Sequence, residues 1–220
     1  MQKRKPHTNS YTVGGLKPGK MVRSKLKVGF DLDGVILYNP IRTFRPFASF
    51  FKFLKPYLFH ENAESFYFPN SNLEKFVWRQ LHKTSFKVAD GYQMIYELVK
   101  KGLFDAYLIT SRYDFLKRDF EYWVKKIKAK KIFKGCYYNK TNMQPNQYKK
   151  HMINKLRLDY FVEDNWGIIQ KLSPKGRSPS GRNGVKILWI SNFFDKNIQY
   201  KYKFLSLQEV ADYFKKLLSF

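Results

Sequence analysis

Four short apolar runs recur along this chain with helical stretches between them, and they constrain its fold more than any other feature. Val28-Gly29-Phe30 leads into Asp31, Asp105-Ala106-Tyr107-Leu108-Ile109-Thr110 into Ser111, and Asp159-Tyr160-Phe161-Val162-Glu163 into Asp164. Val185-Lys186-Ile187-Leu188-Trp189-Ile190 is the fourth. Runs this short and continuously apolar read as buried strands. Residues 131–138 (KIFKGCYY) supply a further strand. Between them, Tyr92, Ile95, Tyr96 and Val99 share one helical face that stops near Gly102, and Phe115, Leu116, Phe120, Trp123, Val124 and Ile127 form a second stripe. Ser206 and Glu209 have capping-box spacing ahead of Val210, Phe214 and Leu217. Parallel strands need crossover connections, and helices in those crossovers cover both faces of the sheet. The expected fold class is therefore α/β, a three-layer Rossmann-like parallel sheet with helices on both faces.

Two stretches break the rhythm. Residues 38–88 are dense in aromatics, among them Phe44, Phe47, Phe51, Phe66, Phe68, Phe76 and Trp78, without a comparable strand. They read as a small, mostly helical insertion after the first strand. Residues 173–184 form a polar, basic loop. Residues 1–26 carry basic residues, glycines and prolines but no acid, which marks a flexible basic arm. The α/β core then comprises residues 27–37 and 89–220.

The arm contains GGLKPGK, the spacing of a nucleotide-binding loop. Met21 stands where that loop needs a hydroxyl, and no strand precedes it, so the match is coincidental. A single cysteine, Cys136, excludes an internal disulfide framework and a cysteine-rich zinc site. No apolar run approaches the roughly 18 residues of a membrane span, and the N-terminus lacks the apolar core of a secretory signal. A cytoplasmic protein without a membrane partner is expected. Forty-two Lys and Arg against seventeen Asp and Glu leave a net charge of +25. That excess attracts polyanions and leaves nucleic acid open as a partner of the arm and surface.

A parallel sheet presents its working residues at the carboxyl ends of its strands. Those ends hold Asp31-Leu32-Asp33-Gly34, Thr110-Ser111-Arg112 and Glu163-Asp164-Asn165, with Lys149 and Lys150 on the helix before the third. Carboxylates from separate strands make a hard oxygen site suited to magnesium. A carboxylate can attack phosphorus, and a second one nearby can exchange a proton with the leaving oxygen and with water. A hydroxyl and a lysine neutralise phosphoryl oxygens. Arg112 is suited either to contact substrate or to pair with a structural acid. His7, His60, His82 and His151 show no ligand spacing.

These motifs resemble the haloacid dehalogenase-like (HAD) superfamily of phosphohydrolases. The resemblance rests on FDLDGV (Phe30 to Val35), LITSR (Leu108 to Arg112), and Lys149 followed by DYFVEDN (Asp159 to Asn165), in that order. Their TSR and VEDN forms are most similar to the 5′-nucleotidase-like branch. The resemblance implies Asp31 as nucleophile, Asp33 as general acid/base, and Thr110, Ser111 and Lys149 as phosphate ligands. It implies Mg2+ held by Asp31, the Asp33 carbonyl and Asp164, with Glu163 supporting. Lys149 is preferred to Lys150 because it lies 14 residues before Glu163. It also implies that residues 38–88 form a cap, whose aromatics serve as a cap core or as a platform for a base. The function expected is a phosphatase acting on a phosphorylated small molecule, a nucleotide among the candidates. The alternatives are a phosphatase of nucleic-acid ends and a non-enzymatic RNA- or ribosome-associated protein. The oligomeric state is left open.

Overall fold

The computed structural model describes residues 25–39, 66, 68–173, 184–192 and 195–218. The arm before Lys25, the aromatics Phe44, Phe47 and Phe51, and nearly all of the loop 173–184 lie outside them.

In chain order the elements are β1 (Leu26–Phe30), β2 (Leu37–Tyr38), α1 (Asn72–Lys83), β3 (Lys87–Val88), α2 (Tyr92–Lys100) and β4 (Phe104–Tyr113). They continue as α3 (Lys117–Lys126), β5 (Gly135–Asn139), α4 (Pro145–Leu156), β6 (Tyr160–Glu163), α5 (Trp166–Leu172), β7 (Lys186–Ile190), β8 (Lys203–Phe204) and α6 (Leu207–Leu218). Six strands form one sheet in the order β5-β4-β1-β6-β7-β8, every pairing parallel. This is the expected Rossmann-like α/β architecture. The chain runs from β1 outward through β4 to β5, then returns to build β6, β7 and β8 on the other side. The carboxyl ends of β1 and β6 therefore flank the point where the winding reverses, the crevice in which open α/β sheets place ligands.

Alternation along the strands divides the core in two. Val28 and Phe30 of β1, with Phe104, Ala106 and Leu108 of β4, pack against Ile95 and Leu98 of α2, Phe120 and Trp123 of α3, and Val210 and Phe214 of α6. Ile109, Phe161, Ile187 and Trp189 face the opposite side and meet Met152 and Ile153 of α4 and Ile168 and Ile169 of α5. Gly29 belongs to this second face. A Cβ there would lie 2.6 Å from Leu158 Cδ1 and 2.7 Å from Phe161 Cδ2, so the close approach requires glycine.

Three local readings of the sequence are corrected. Within 131–138, the strand begins only at Gly135, because Ile132 and Phe133 donate backbone hydrogen bonds to Ala129 and close a turn. Their side chains instead fill the core, Phe133 edge-on to Phe30 at 6.1 Å. The stripe expected from Phe115 starts its α-helix at Lys117, preceded by a 3-10 turn over Asp114–Leu116. Strand β4 runs past Thr110 to Tyr113, with a register shift against β5 between those residues. At α6, Ser206 Oγ accepts from Glu209 N at 3.2 Å as its spacing predicts, but Glu209 Oε2 accepts from Leu205 N rather than from Ser206 N.

The two ends of the aromatic-rich stretch lie side by side, since β2 pairs antiparallel with β3 through Leu37–Val88 and Tyr38–Lys87. Helix α1 starts on a reciprocal capping box between Ser71 and Glu74. It is tied to the loop after β4 by Arg79, whose Nε donates to the Phe115 carbonyl at 3.4 Å while the guanidinium sits 5.7 Å from the Phe115 ring centroid. Phe68 meets Tyr113 edge-on at 4.8 Å, so the stretch touches the rim of the sheet where β4 ends.

Candidate active site

Asp31 emerges at the end of the central strand, its backbone N–H still donating to Val162 of β6 at 3.0 Å. The chain then turns. Gly34 adopts φ +77°, a conformation open to glycine at little cost, and its N–H donates to the Leu37 carbonyl at 2.8 Å. The turn leaves Asp31 and Asp33 on one short loop, each near different partners.

Asp31 faces a buried ionic centre. Lys149, on the first turns of α4 and 1% exposed, donates from Nζ to Asp31 Oδ2 at 2.8 Å and to Glu163 Oε2 at 2.5 Å. Lys150, the alternative lysine, is exposed. Glu163 Oε1 accepts from Asn165 N at 2.9 Å and Asp164 N at 3.2 Å, so the loop after β6 folds around that carboxylate. Asn165 then caps α5 by accepting from Gly167 N at 3.0 Å. Ligand oxygens of Asp31, Glu163 and Asp164 all lie within 4.8 Å of one another. Three carboxylates this close form a hard, oxygen-only donor set, the chemistry that suits magnesium.

The electrostatics follow from burial. Removal from water pushes the Asp31 carboxyl up to about 6, with Lys149 opposing and Asp164 adding to the rise. Burial likewise raises Glu163 against the pull of Lys149. Burial alone would favour a neutral Lys149, but Asp31 and Glu163 outweigh it and hold the ammonium charged.

Asp33 points to a different partner. Arg112 clasps its carboxylate with Nε at 2.7 Å from Oδ2 and Nη2 at 2.7 Å from Oδ1. Burial would raise Asp33, yet the guanidinium overrides it and pulls the carboxyl down to about 2. Arg112 Nη1 bonds to Asp119 in the first turn of α3, and Ser85 Oγ, just after α1, donates to Asp33 Oδ1 at 3.3 Å. Thr110 is buried, and its Oγ1 accepts from Arg112 N at 3.3 Å; Ser111 beside it is half-buried.

The structure thus gathers Asp31, Lys149, Glu163 and Asp164 around one point and sets the Asp33 side chain apart with Arg112. Asp119 and Ser85 escaped the sequence reading. Asp119 is one acid in the polar part of an amphipathic helix, and Ser85 lies 52 residues from Asp33, so neither carries a local signal. Of the two roles open to Arg112, pairing with an acid is the one observed.

No family model matches the chain, and no curated protein matches it in sequence. Solved structures do match in fold. CbbY from Rhodobacter sphaeroides, in complex with phosphate, aligns with a TM-score of 0.54 at 11% identity over 84% of this chain and 96% of its own. A HAD-superfamily hydrolase of subfamily IA from Geobacter sulfurreducens aligns with a TM-score of 0.51 at 14% identity over 86% and 100%. The HAD hydrolase YfnB from Bacillus subtilis, bound to magnesium, gives 0.53 at 12% over 89% and 99%. At such identities the likeness is one of fold, and that fold is the one found in HAD-superfamily hydrolases.

Proposed function

We propose that this chain is a magnesium-dependent phosphatase that hydrolyses a phosphomonoester through an aspartyl-phosphate. The observation that carries the reading is the position of Lys149, whose buried ammonium joins Asp31 to Glu163 beside Asp164. A lysine and three carboxylates at the crevice of an α/β sheet are costly to bury for stability alone, and buried charge of this kind clusters at functional sites.

In this reading Asp31 attacks phosphorus, the bond from phosphorus to the ester oxygen breaks, and the phosphoryl group passes to the Asp31 carboxylate. Asp33, ionised beside Arg112 in the free site, takes a proton from the water that cleaves the aspartyl-phosphate. To protonate the departing oxygen it first takes up a proton from solvent with substrate bound, when the negative charge of the incoming phosphate favours its neutral form. Thr110, Ser111 and Lys149 hold the phosphoryl oxygens, where transition-state charge accumulates. Asp31, Asp164 and the Asp33 carbonyl would hold magnesium, with Glu163 supporting. Bound there, the ion neutralises charge on the transferring phosphoryl group. The stretch 38–88 acts as a cap. Its paired ends, β2 and β3, and its contacts with Tyr113 and Phe115 at the rim support that role.

A nucleotide is the first small substrate to test. The +25 charge supports a second reading, in which the phosphate sits on a nucleic-acid end. Phosphate release from nucleotides, sugar phosphates and 5′- or 3′-phosphorylated oligonucleotides, with magnesium or chelator, separates the two. The small-substrate reading expects turnover of a free nucleotide or sugar phosphate that persists at high salt. Turnover of oligonucleotide ends alone, weakening steeply with salt, would establish the second reading.

A further inference from the structure

Arg112 has no role in the chemistry outlined above, yet it is the most fully committed side chain near the site. It is 1% exposed at its side chain and forks onto both oxygens of Asp33, with Asp119 bonded to the far side of the guanidinium. Three of its nitrogens are thus engaged by carboxylates, and burial closes the rest of the group to solvent. Every one of these contacts is to a protein carboxylate, so the work the geometry shows for this guanidinium is on Asp33 and Asp119. What it does control is the Asp33 carboxylate. Two parallel hydrogen bonds fix the plane of a carboxylate as well as its position, which a single contact does not. Ser85 adds a third bond to the same group from the far end of the aromatic-rich stretch.

We propose that Arg112 is the positioning residue for Asp33, anchored from behind by Asp119, and that it serves the reaction through Asp33 rather than by binding phosphate. This rests on the phosphatase reading above. Proton exchange at an ester oxygen demands a carboxyl held within hydrogen-bond reach and in one orientation, and a small misplacement is expensive. The fork supplies that orientation from β4, while Asp119 keeps the guanidinium from turning away.

The test uses two substrates that differ in their need for a proton, an alkyl phosphate such as glycerol phosphate and p-nitrophenyl phosphate. Four variants are compared with wild type: Asp33→Asn, Arg112→Lys, Asp119→Asn and the double variant Asp33→Asn/Arg112→Lys. If Arg112 works through Asp33, Arg112→Lys lowers kcat on the alkyl phosphate by about 100-fold and on p-nitrophenyl phosphate by only about threefold, because general acid catalysis matters most for the poorer leaving group. KM changes little, Asp119→Asn shows the same substrate dependence in weaker form, and the double variant is no slower than Asp33→Asn alone. Losses equal on both substrates, a rise in KM, or multiplying effects in the double variant would overturn the proposal while leaving the phosphatase reading intact. Arg112→Lys retains the charge, and Asp119→Asn supplies an independent variant if it fails to fold. A wild-type protein inactive on phosphate esters altogether would remove the phosphatase reading, and this proposal with it.

Discussion

Lys149 and Asp31 are 118 residues apart in sequence, and their side chains meet at 2.8 Å in a centre almost wholly shielded from water. The ammonium is shared with Glu163, so its removal leaves two buried carboxylates facing each other. We expect Lys149→Met to lose about 3 kcal/mol of stability at neutral pH, the scale measured when one partner of a buried pair is deleted. Urea unfolding checks this. The deficit should shrink at pH 5, where the stranded carboxylates can take up protons.

Metal binding should compete with protons. Because burial raises Asp31 to about 6 in the metal-free site, that carboxyl begins to take up a proton near that pH, and a cation must displace it. Magnesium should therefore raise the thermal midpoint at pH 7.5 and do so progressively less as the pH falls through 6. Asp164→Asn should reduce the shift at every pH. Thermal melting with and without magnesium reads this independently of activity.

Acid stability should depend on Asp33. Its carboxyl is held at about 2 in the fold, chiefly because Arg112 outweighs the effect of burial. A depressed acid binds fewer protons folded than unfolded, so its stabilisation is complete above the ordinary carboxylate range near pH 4. It is lost as the pH falls from there through 2. The difference corresponds to about 2 kcal/mol. Asp33→Asn should be less stable than wild type at pH 7, and the gap should close toward pH 2, as read by urea midpoints across that range.

That the acids would gather at one rim of the sheet is legible in the sequence because those residues are contiguous with strands. Asp31, Thr110, Glu163 and Asp164 each sit within or beside an apolar run, and the parallel arrangement brings strand ends together. Lys149 was distinguishable from Lys150 only through family spacing; burial by α4 is what separates them in the structure. The environment of Asp33 was not legible. Its carboxylate is set by Arg112, Asp119 and Ser85, contacts made across three elements after folding. Residues 131–133 misled for a related reason: KIF has strand composition, yet Ile132 and Phe133 serve the core from a turn. The two-residue strands β2, β3 and β8 are too short to leave a period.

Gly29 gives a test of packing behind the site. A methyl group at this position would meet Leu158 and Phe161 below 3 Å, and both are core side chains with little room to retreat. Gly29→Ala should cost about 1–3 kcal/mol, the usual penalty for overpacking a filled core. Denaturant unfolding measures it, and lower activity in the folded fraction would show that β1 carries Asp31 with it.

The most direct test is phosphate release by wild type and Asp31→Asn, side by side, over a panel of phosphomonoesters with magnesium and with chelator. The proposed mechanism predicts release by wild type that requires magnesium and is abolished in a folded Asp31→Asn protein, since that carboxylate forms the covalent intermediate. Undiminished turnover by a clean Asp31→Asn preparation would contradict it.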